Sequence, residues 1–252
     1  MSPNQKIIGI IPARYASVRF PGKPLALLND RPMIQWVYQA CEGTFDYLTV
    51  ATDDERIRNV VETFGGNAVM TSPEHATGTD RCREVVEILE NKKAFKPDIV
   101  VNIQGDEPLI RKEQMEELLA CITIPDTEIA TLVQPFHKNE NPASPDMVKV
   151  VVGSDQKALY FSRALIPHLR GGIEKIATPF LKHVGIYAYR TEILKKISKL
   201  PPSRLEQAES LEQLRWLENG YSIRTCRTMF RNSGVDTPED LEKIRLHLNN
   251  PN

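Results

Sequence analysis

The sequence has no excess of charge of either sign. Its 32 Lys and Arg against 33 Asp and Glu leave a formal net charge of −1. That balance removes any global pull toward nucleic acid or an anionic membrane and confines basic function to local patches. Long apolar runs are missing too. The longest, such as Ile7–Ile11, are of strand length, and the opening Met1-Ser2-Pro3-Asn4-Gln5-Lys6 lacks the apolar core of a secretory signal. The expectation is a cytoplasmic enzyme or binding protein with neither a membrane nor a nucleic-acid partner. Cysteine is sparse: Cys41, Cys82, Cys121 and Cys226 form no C-x-x-C pair and have no His at metal spacing, which argues against zinc. Cys41, Cys82 and Cys121 fall at apolar helix positions and read as buried, reduced thiols.

What is present is an ordinary globular composition, 252 residues with 41% hydrophobic and 26% charged content, enough to bury a core without disulfide or structural metal. Lys6–Ala13 reads as a continuous apolar strand, and a helix at about Met33–Glu42 places Ile34, Val37, Tyr38 and Cys41 on one stripe. The same spacing recurs at Cys82, Val85, Val86, Leu89 and at Met115, Leu118, Leu119, Ile122. Strand runs at Tyr47–Thr52, Ala68–Thr71 and Ile99–Ile103 alternate with these helices and with one at Glu55–Phe64, the pattern of right-handed βαβ units on a mainly parallel sheet. After the helical stretch Arg111–Ile124 the pattern changes. Ile129–Phe136, Val148–Val152, Ala158–Phe161 and His183–Tyr189 predict a mixed or antiparallel, strand-rich extension. Helices return at Thr191–Ser198, Leu211–Asn219 and Pro238–Leu248, the last with Thr237 as N-cap and Pro238 in first position. The expected organisation is a single α/β domain over 1–252, with a Rossmann-like nucleotide-binding half over about 1–125, a second part over about 126–230, and a C-terminal helix over about 237–249.

Three segments carry chemistry. Pro12-Ala13-Arg14-Tyr15-Ala16-Ser17-Val18-Arg19-Phe20-Pro21-Gly22-Lys23-Pro24 sets three cations in a loop at the C-terminal edge of a parallel sheet, where open α/β folds bind ligands. It matches neither G-x-x-x-x-G-K-[ST] nor G-x-G-x-x-G, so side chains must hold any polyphosphate; a solvated basic loop is the alternative. Gln104-Gly105-Asp106-Glu107-Pro108 follows a buried strand, where a carboxylate can hold Mg²⁺ against phosphate, or where Gly and Asp simply make a turn. In Gly234-Val235-Asp236-Thr237-Pro238-Glu239, Asp236 precedes a helix and by itself reads as helix-start chemistry.

Together these segments resemble the nucleotide-sugar cytidylyltransferases, in the branch that activates 3-deoxy-manno-octulosonate (Kdo). The likeness continues through His75-Ala76-Thr77-Gly78-Thr79-Asp80-Arg81, Tyr160-Phe161-Ser162-Arg163, His183-Val184-Gly185-Ile186-Tyr187 and Leu211-Glu212-Gln213-Leu214-Arg215, nearly the whole chain in order. The resemblance implies the nucleotide-diphospho-sugar transferase type of fold, a homodimer formed through the strand-rich extension, and transfer of CMP from CTP to Kdo for lipopolysaccharide synthesis. It implies that Arg14, Arg19 and Lys23 hold the triphosphate and that Asp106 and Asp236 bind Mg²⁺. It further implies that Thr77, Gly78 and Arg81, with backbone groups of Pro12 and Ala13, receive the cytosine, and that Gln104, Arg163, His183, Tyr187, Glu212 and Gln213 meet the sugar acid. Arg163 and His183 suit its carboxylate, Glu212 and Gln213 its hydroxyls. Without that context His183 reads as a satisfied core histidine, and Glu212-Gln213 as a polar helix face. His75, His137, His168 and His247 receive no role. Two departures stand out: Val18 for a small hydroxyl residue, and Asp80 for Glu. Residues 170–178 are a poor guide to family membership. A related acid such as 8-amino-Kdo or sialate, or a nucleotide-sugar sensor without chemistry, are the competing functions.

Overall fold

Seven apolar or small residues at the start of the chain form β1 (Ile7–Ala13), almost wholly buried. A computed structural model describes residues 5–16, 19–137, 140–170 and 180–249. The chain forms two compact units, 1–115 with 231–252 and 116–230; the C-terminal helix expected as a separate part thus belongs with the N-terminal unit.

In the first unit a 3-10 turn (Lys23–Leu25) and the short strands β2 (Leu27–Leu28) and β3 (Arg31–Pro32) lead into α1 (Met33–Cys41). Then follow β4 (Tyr47–Thr52), α2 (Glu55–Thr63), β5 (Ala68–Met70), α3 (Gly78–Asn91) and β6 (Ile99–Asn102). The boundary between the units falls inside α4 (Lys112–Ile122). The strands run β6-β1-β4-β5, all parallel, with Ile10 opposite Asn102 and Ala13 opposite Thr52. Such a sheet needs crossover helices on its faces, and the helices supply the predicted stripes: Ile34, Val37, Tyr38 and Cys41 on α1, and Cys82, Val85, Val86 and Leu89 on α3 are buried. Each such large aliphatic side chain contributes about 1.5–3 kcal/mol. The helix Pro238–Asn249 buries Leu241 and Ile244 against Leu28, Met33 and Val235. That packing fixes the segment carrying Asp236.

The second unit contains β7 (Ile129–Pro135), β8 (Lys149–Val152), β9 (Ala158–Ser162) and β10 (Leu181–Arg190), then α5 (Thr191–Ile197), α6 (Arg204–Glu209), α7 (Gln213–Glu218) and β11 (Ile223–Arg227). β10 pairs antiparallel with β7 and β8, β8 pairs antiparallel with β9, and β11 lies parallel to β7. The mixed, strand-rich extension is therefore present. A register shift between Val184 and Tyr187 bulges β10. The Thr131 hydroxyl faces the bulge carbonyls of Ile186 at 2.7 Å and Val184 at 3.1 Å.

Two expectations are corrected. The helix predicted over Leu211–Asn219 begins later, at Gln213, because Ser210 adopts a left-handed conformation (φ 52°) that ends α6, a helix closed at its start by a Ser203–Glu206 capping box. Cys121 is not a reduced thiol: it is joined to Cys226, while Cys41 and Cys82 are free and buried as expected. Among the described residues no helix is long and apolar enough to cross a membrane.

Candidate active site

The C-terminal edge of the parallel strands in the first unit opens on a cleft of about 370 Å³. β1 ends there with Pro12 and Ala13, and the following loop brings Arg14, Arg19 and Lys23 to the same cleft. Gly22 turns this loop. Its φ of +72° lies in the left-handed region, its N–H donates to the Tyr15 carbonyl at 2.9 Å, and an added Cβ would sit 3.1 Å from the Tyr15 ring. The Tyr15 ring lies under the Arg56 guanidinium at 3.3 Å, and Arg56 grips Asp54 through two bonds of 2.9 and 2.6 Å. The loop is thus pinned at its base, leaving its cations to the cleft.

β6 delivers Asp106. Gly105 is required beside it, because a Cβ there would stand 2.9 Å from the backbone oxygen of Pro12. Asp236 arrives from the far end of the chain on a segment strapped to this loop. Val235 N–H donates to the Asp106 carbonyl at 2.9 Å, Asn232 donates to the Glu107 carboxylate, and the fully buried Gln114 donates to Asn232. The helix start beyond it caps itself: Asp240 N–H donates to Thr237 Oγ1 at 3.3 Å, and the Asp240 carboxylate accepts from Thr237 N–H at 3.2 Å. Thr237 is therefore the cap that the sequence predicts, and Asp236, just ahead of it, lines the cleft. Its Oδ1 meets Arg19 Nη2 at 2.9 Å and Lys23 Nζ at 3.6 Å. Lys23, only 13% exposed, also donates to Asp106 Oδ2 at 2.6 Å and to the Val235 carbonyl at 2.8 Å. Two carboxylates more than a hundred positions apart thus converge on one ammonium.

That convergence is the test of fit for a divalent cation. Among the described residues no group of three or more His, Cys, Asp or Glu gathers anywhere. One or two carboxylates completed by phosphate and water is the donor set Mg²⁺ takes in phosphoryl-transfer sites, and Asp106 with Asp236 supplies it.

Thr77, Gly78 and Arg81 line the same cleft. Thr77 caps α3 reciprocally with Asp80, which gives the Asp found in place of Glu a local role. Arg81, 4% exposed, donates to Asp53 at 2.7 Å, to Thr71 Oγ1 at 2.8 Å and to the Ser72 carbonyl at 3.3 Å. These partners fix the plane of its five-donor fork. His75 also lines the cleft, with Nε2 2.6 Å from Glu84; sequence reasoning assigned it nothing, although it stands two positions before Thr77. Val18, and residues 171–178 of the segment set aside as a poor guide, lie outside the described residues.

Of the sugar-site candidates, Gln104 lines this cleft and the other five belong to the second unit. Arg163 donates to the carbonyls of Glu209 at 2.9 Å and Pro145 at 3.0 Å, so its fork is positioned by neutral acceptors. The His183 ring packs against Phe161 at 5.1 Å and Tyr187 at 5.2 Å, with Nε2 3.0 Å from Thr131 Oγ1. Burial pushes its pKa down to about 3, leaving a neutral imidazole at physiological pH. Tyr187 is buried and its hydroxyl pKa is pushed up, first by burial and then by the Glu212 carboxylate. Glu212 precedes α7 and Gln213 begins it, buried. Trp216, one turn on and edge-on to Tyr187 at 5.0 Å, is a neighbour that sequence reasoning missed.

A family described as Cytidylyltransferase matches residues 8–225. The chain is 51% identical to the 3-deoxy-manno-octulosonate cytidylyltransferase of Parabacteroides distasonis, over 97% of this chain and 99% of that protein. It belongs to the 3-deoxy-manno-octulosonate cytidylyltransferase family. The protein of the same name from Phocaeicola vulgatus is 52% identical over 96% of this chain and 97% of its own. A solved structure of CMP:2-keto-3-deoxy-manno-octonic acid synthetase complexed with CTP superposes with a TM-score of 0.87 at 46% identity, covering 97% of this chain and 99% of that one. The fold extends to more distant enzymes: a 4-diphosphocytidyl-2C-methyl-D-erythritol synthase from Anaerococcus prevotii has a TM-score of 0.59 at 11% identity, covering 98% of this chain and 99% of that one.

Proposed function

We propose that this cytidylyltransferase transfers CMP from CTP to Kdo, releasing pyrophosphate and supplying CMP-Kdo for lipopolysaccharide synthesis. The observation that carries this reading in the site is the contact of Lys23 with both Asp106 and Asp236, which puts phosphate-binding cations and metal-binding carboxylates at one point. The sugar's anomeric hydroxyl oxygen forms a bond to the α-phosphorus while the bond from that phosphorus to the bridging oxygen breaks. Pyrophosphate leaves with the electron pair, and the hydroxyl proton passes to solvent.

An anionic sugar has to approach an anionic triphosphate, so positioning and charge neutralisation supply most of the rate. Arg14, Arg19 and Lys23 hold the triphosphate and offset the charge that builds on departing pyrophosphate. Asp106 and Asp236 hold Mg²⁺, which when bound neutralises phosphate charge and lowers the pKa of the attacking hydroxyl. Thr77, Gly78 and Arg81, with the backbone of Pro12 and Ala13, receive cytosine; hydrogen bonds to the base edge reject a base with the wrong donor pattern. Gln104, Arg163, His183, Tyr187, Glu212 and Gln213 take the sugar acid. In that set Arg163 provides the cation for its carboxylate, and His183 a neutral hydrogen bond.

The active form in this reading is a cytoplasmic homodimer.

The test is pyrophosphate release from CTP with Mg²⁺ and freshly prepared Kdo, beside UTP, ATP, 8-amino-Kdo, sialate and metal-free controls. Release that requires CTP, Kdo and Mg²⁺ is expected. Silence with Kdo and turnover with another acid replaces the substrate. CTP binding without release from any acid points to a sensor.

A further inference from the structure

The four charges Arg19, Lys23, Asp106 and Asp236 in the cleft are paired with one another. Arg19 holds Asp236 at 2.9 Å, and Lys23 holds Asp106 at 2.6 Å while standing 3.6 Å from Asp236. The Lys23 ammonium also donates to the Val235 carbonyl at 2.8 Å. It therefore faces three oxygens, two of them on the carboxylates proposed to bind the metal. A divalent cation arriving alone has to displace it.

A triphosphate changes that balance, because it offers Lys23 and Arg19 acceptors of higher charge than the aspartates they release. We infer that Lys23 is an internal counter-ion that keeps the two carboxylates closed to divalent metal until a triphosphate draws its ammonium away, so that metal and nucleotide bind cooperatively. The inference rests on the reading of Asp106 and Asp236 as the metal carboxylates. The pairing also explains how two aspartates can both approach one ammonium: each has a cation beside it. Linkage makes the coupling reciprocal, and whatever the nucleotide does for metal affinity the metal does for nucleotide affinity.

The test is binding of Mn²⁺ alone to the nucleotide-free protein, followed by electron paramagnetic resonance of the free ion. Wild type is compared with Lys23→Met, Lys23→Gln and the double variant Lys23→Met with Asp106→Asn. Thermal unfolding identifies which variants are folded, and either single Lys23 variant suffices. The single variants are expected to bind Mn²⁺ about 10-fold more tightly than wild type, within the usual range of coupling between sites, and the double variant is expected to lose that gain. Equal or weaker binding by the folded Lys23 variants overturns the inference. Water-proton relaxation with Mn²⁺ and CTP on wild type and Asp106→Asn separates the two ideas. If Asp106→Asn weakens the ternary complex while the Lys23 variants gain nothing, the counter-ion role alone fails. If Asp106→Asn holds Mn²⁺ with CTP as wild type does, the metal assignment falls and the inference with it.

Discussion

At the scale of single residues, Arg19, Lys23, Arg81, Asp106 and Asp236 each have a charged partner in the structure. Arg81 is oriented by Asp53, Thr71 and Ser72, and the Asp106 loop is tied to the strap that carries Asp236. Asp106→Asn keeps the shape of the side chain and removes its charge. We expect a folded protein whose kcat/KM at limiting Mg²⁺ falls about 10²-fold or more, the scale of one lost charge-stabilising group, while the melting temperature changes little. Near-wild-type turnover would remove Asp106 from the proposed metal site. The cations and carboxylates that line the cleft were legible because their spacing matches a family motif. The partners were not: nothing in the spacing of Asp53 and Arg81, or of Glu107 and Asn232, announces a contact, since only folding unites them.

At the scale of elements, the functional positions sit where β1 and β6 end, and the close approach of those ends sets the residue choice. Gly105→Ala forces a Cβ against the Pro12 carbonyl at 2.9 Å. The substitution should cost about 1–3 kcal/mol in denaturant unfolding and raise KM for CTP by moving the Asp106 loop. An unchanged KM would show that the loop relaxes freely. The Cys121–Cys226 bond ties α4 to β11 across 105 positions. Denatured but unreduced protein should show two titratable thiols rather than four, and Cys226→Ser should lower stability by about 2–5 kcal/mol. Alkylation of protein kept under reducing conditions throughout would test whether the bond persists there.

The long elements were legible because helix stripes and buried strands announce their period, as at Ile34–Cys41 and Tyr47–Thr52. β11 was missed although Ile223 and Thr225 alternate inward, because Arg224 and Arg227 make the run look polar. α6 was missed because its helix signal lies in the Ser203–Glu206 capping box rather than in an apolar stripe; none of its residues is buried. The bulge in β10 had no signal beyond Gly185, and that bulge brings the His183 and Tyr187 rings together.

At the scale of the molecule, acid should act in two steps. His183 titrates near 6.5 when unfolded and near 3 when folded, so its folded environment favours the neutral ring. Its contribution is intact above about pH 6.5. It is lost as pH falls toward 3, by up to about 1.4 kcal/mol per pH unit, because the unfolded chain takes up the proton first. From the ordinary glutamate range downward Glu140 and Glu206 add to this loss. Burial raises their pKa, but their ion pairs with Lys182 and Arg215 prevail and lower it, so their stabilisation fades below the ordinary glutamate range. Melting temperatures from pH 7 to 4 should decline, and His183→Gln should flatten the upper part of that decline. An equal slope in the variant would reject the assignment to His183.

The first unit is discontinuous in the chain, since residues 231–252 return to it after the whole of the second unit has intervened. On the ribosome, where synthesis runs at about 5–20 residues per second, Asp236 emerges after the other residues that line the cleft. A nascent chain already carrying Arg14, Arg19, Lys23 and Asp106 has the cations for a triphosphate but only half of the acidic pair. In the proposed reading the acidic pair is therefore completed only after the whole of the second unit has been synthesised, so the chemistry of the cleft waits on the strand-rich part of the chain.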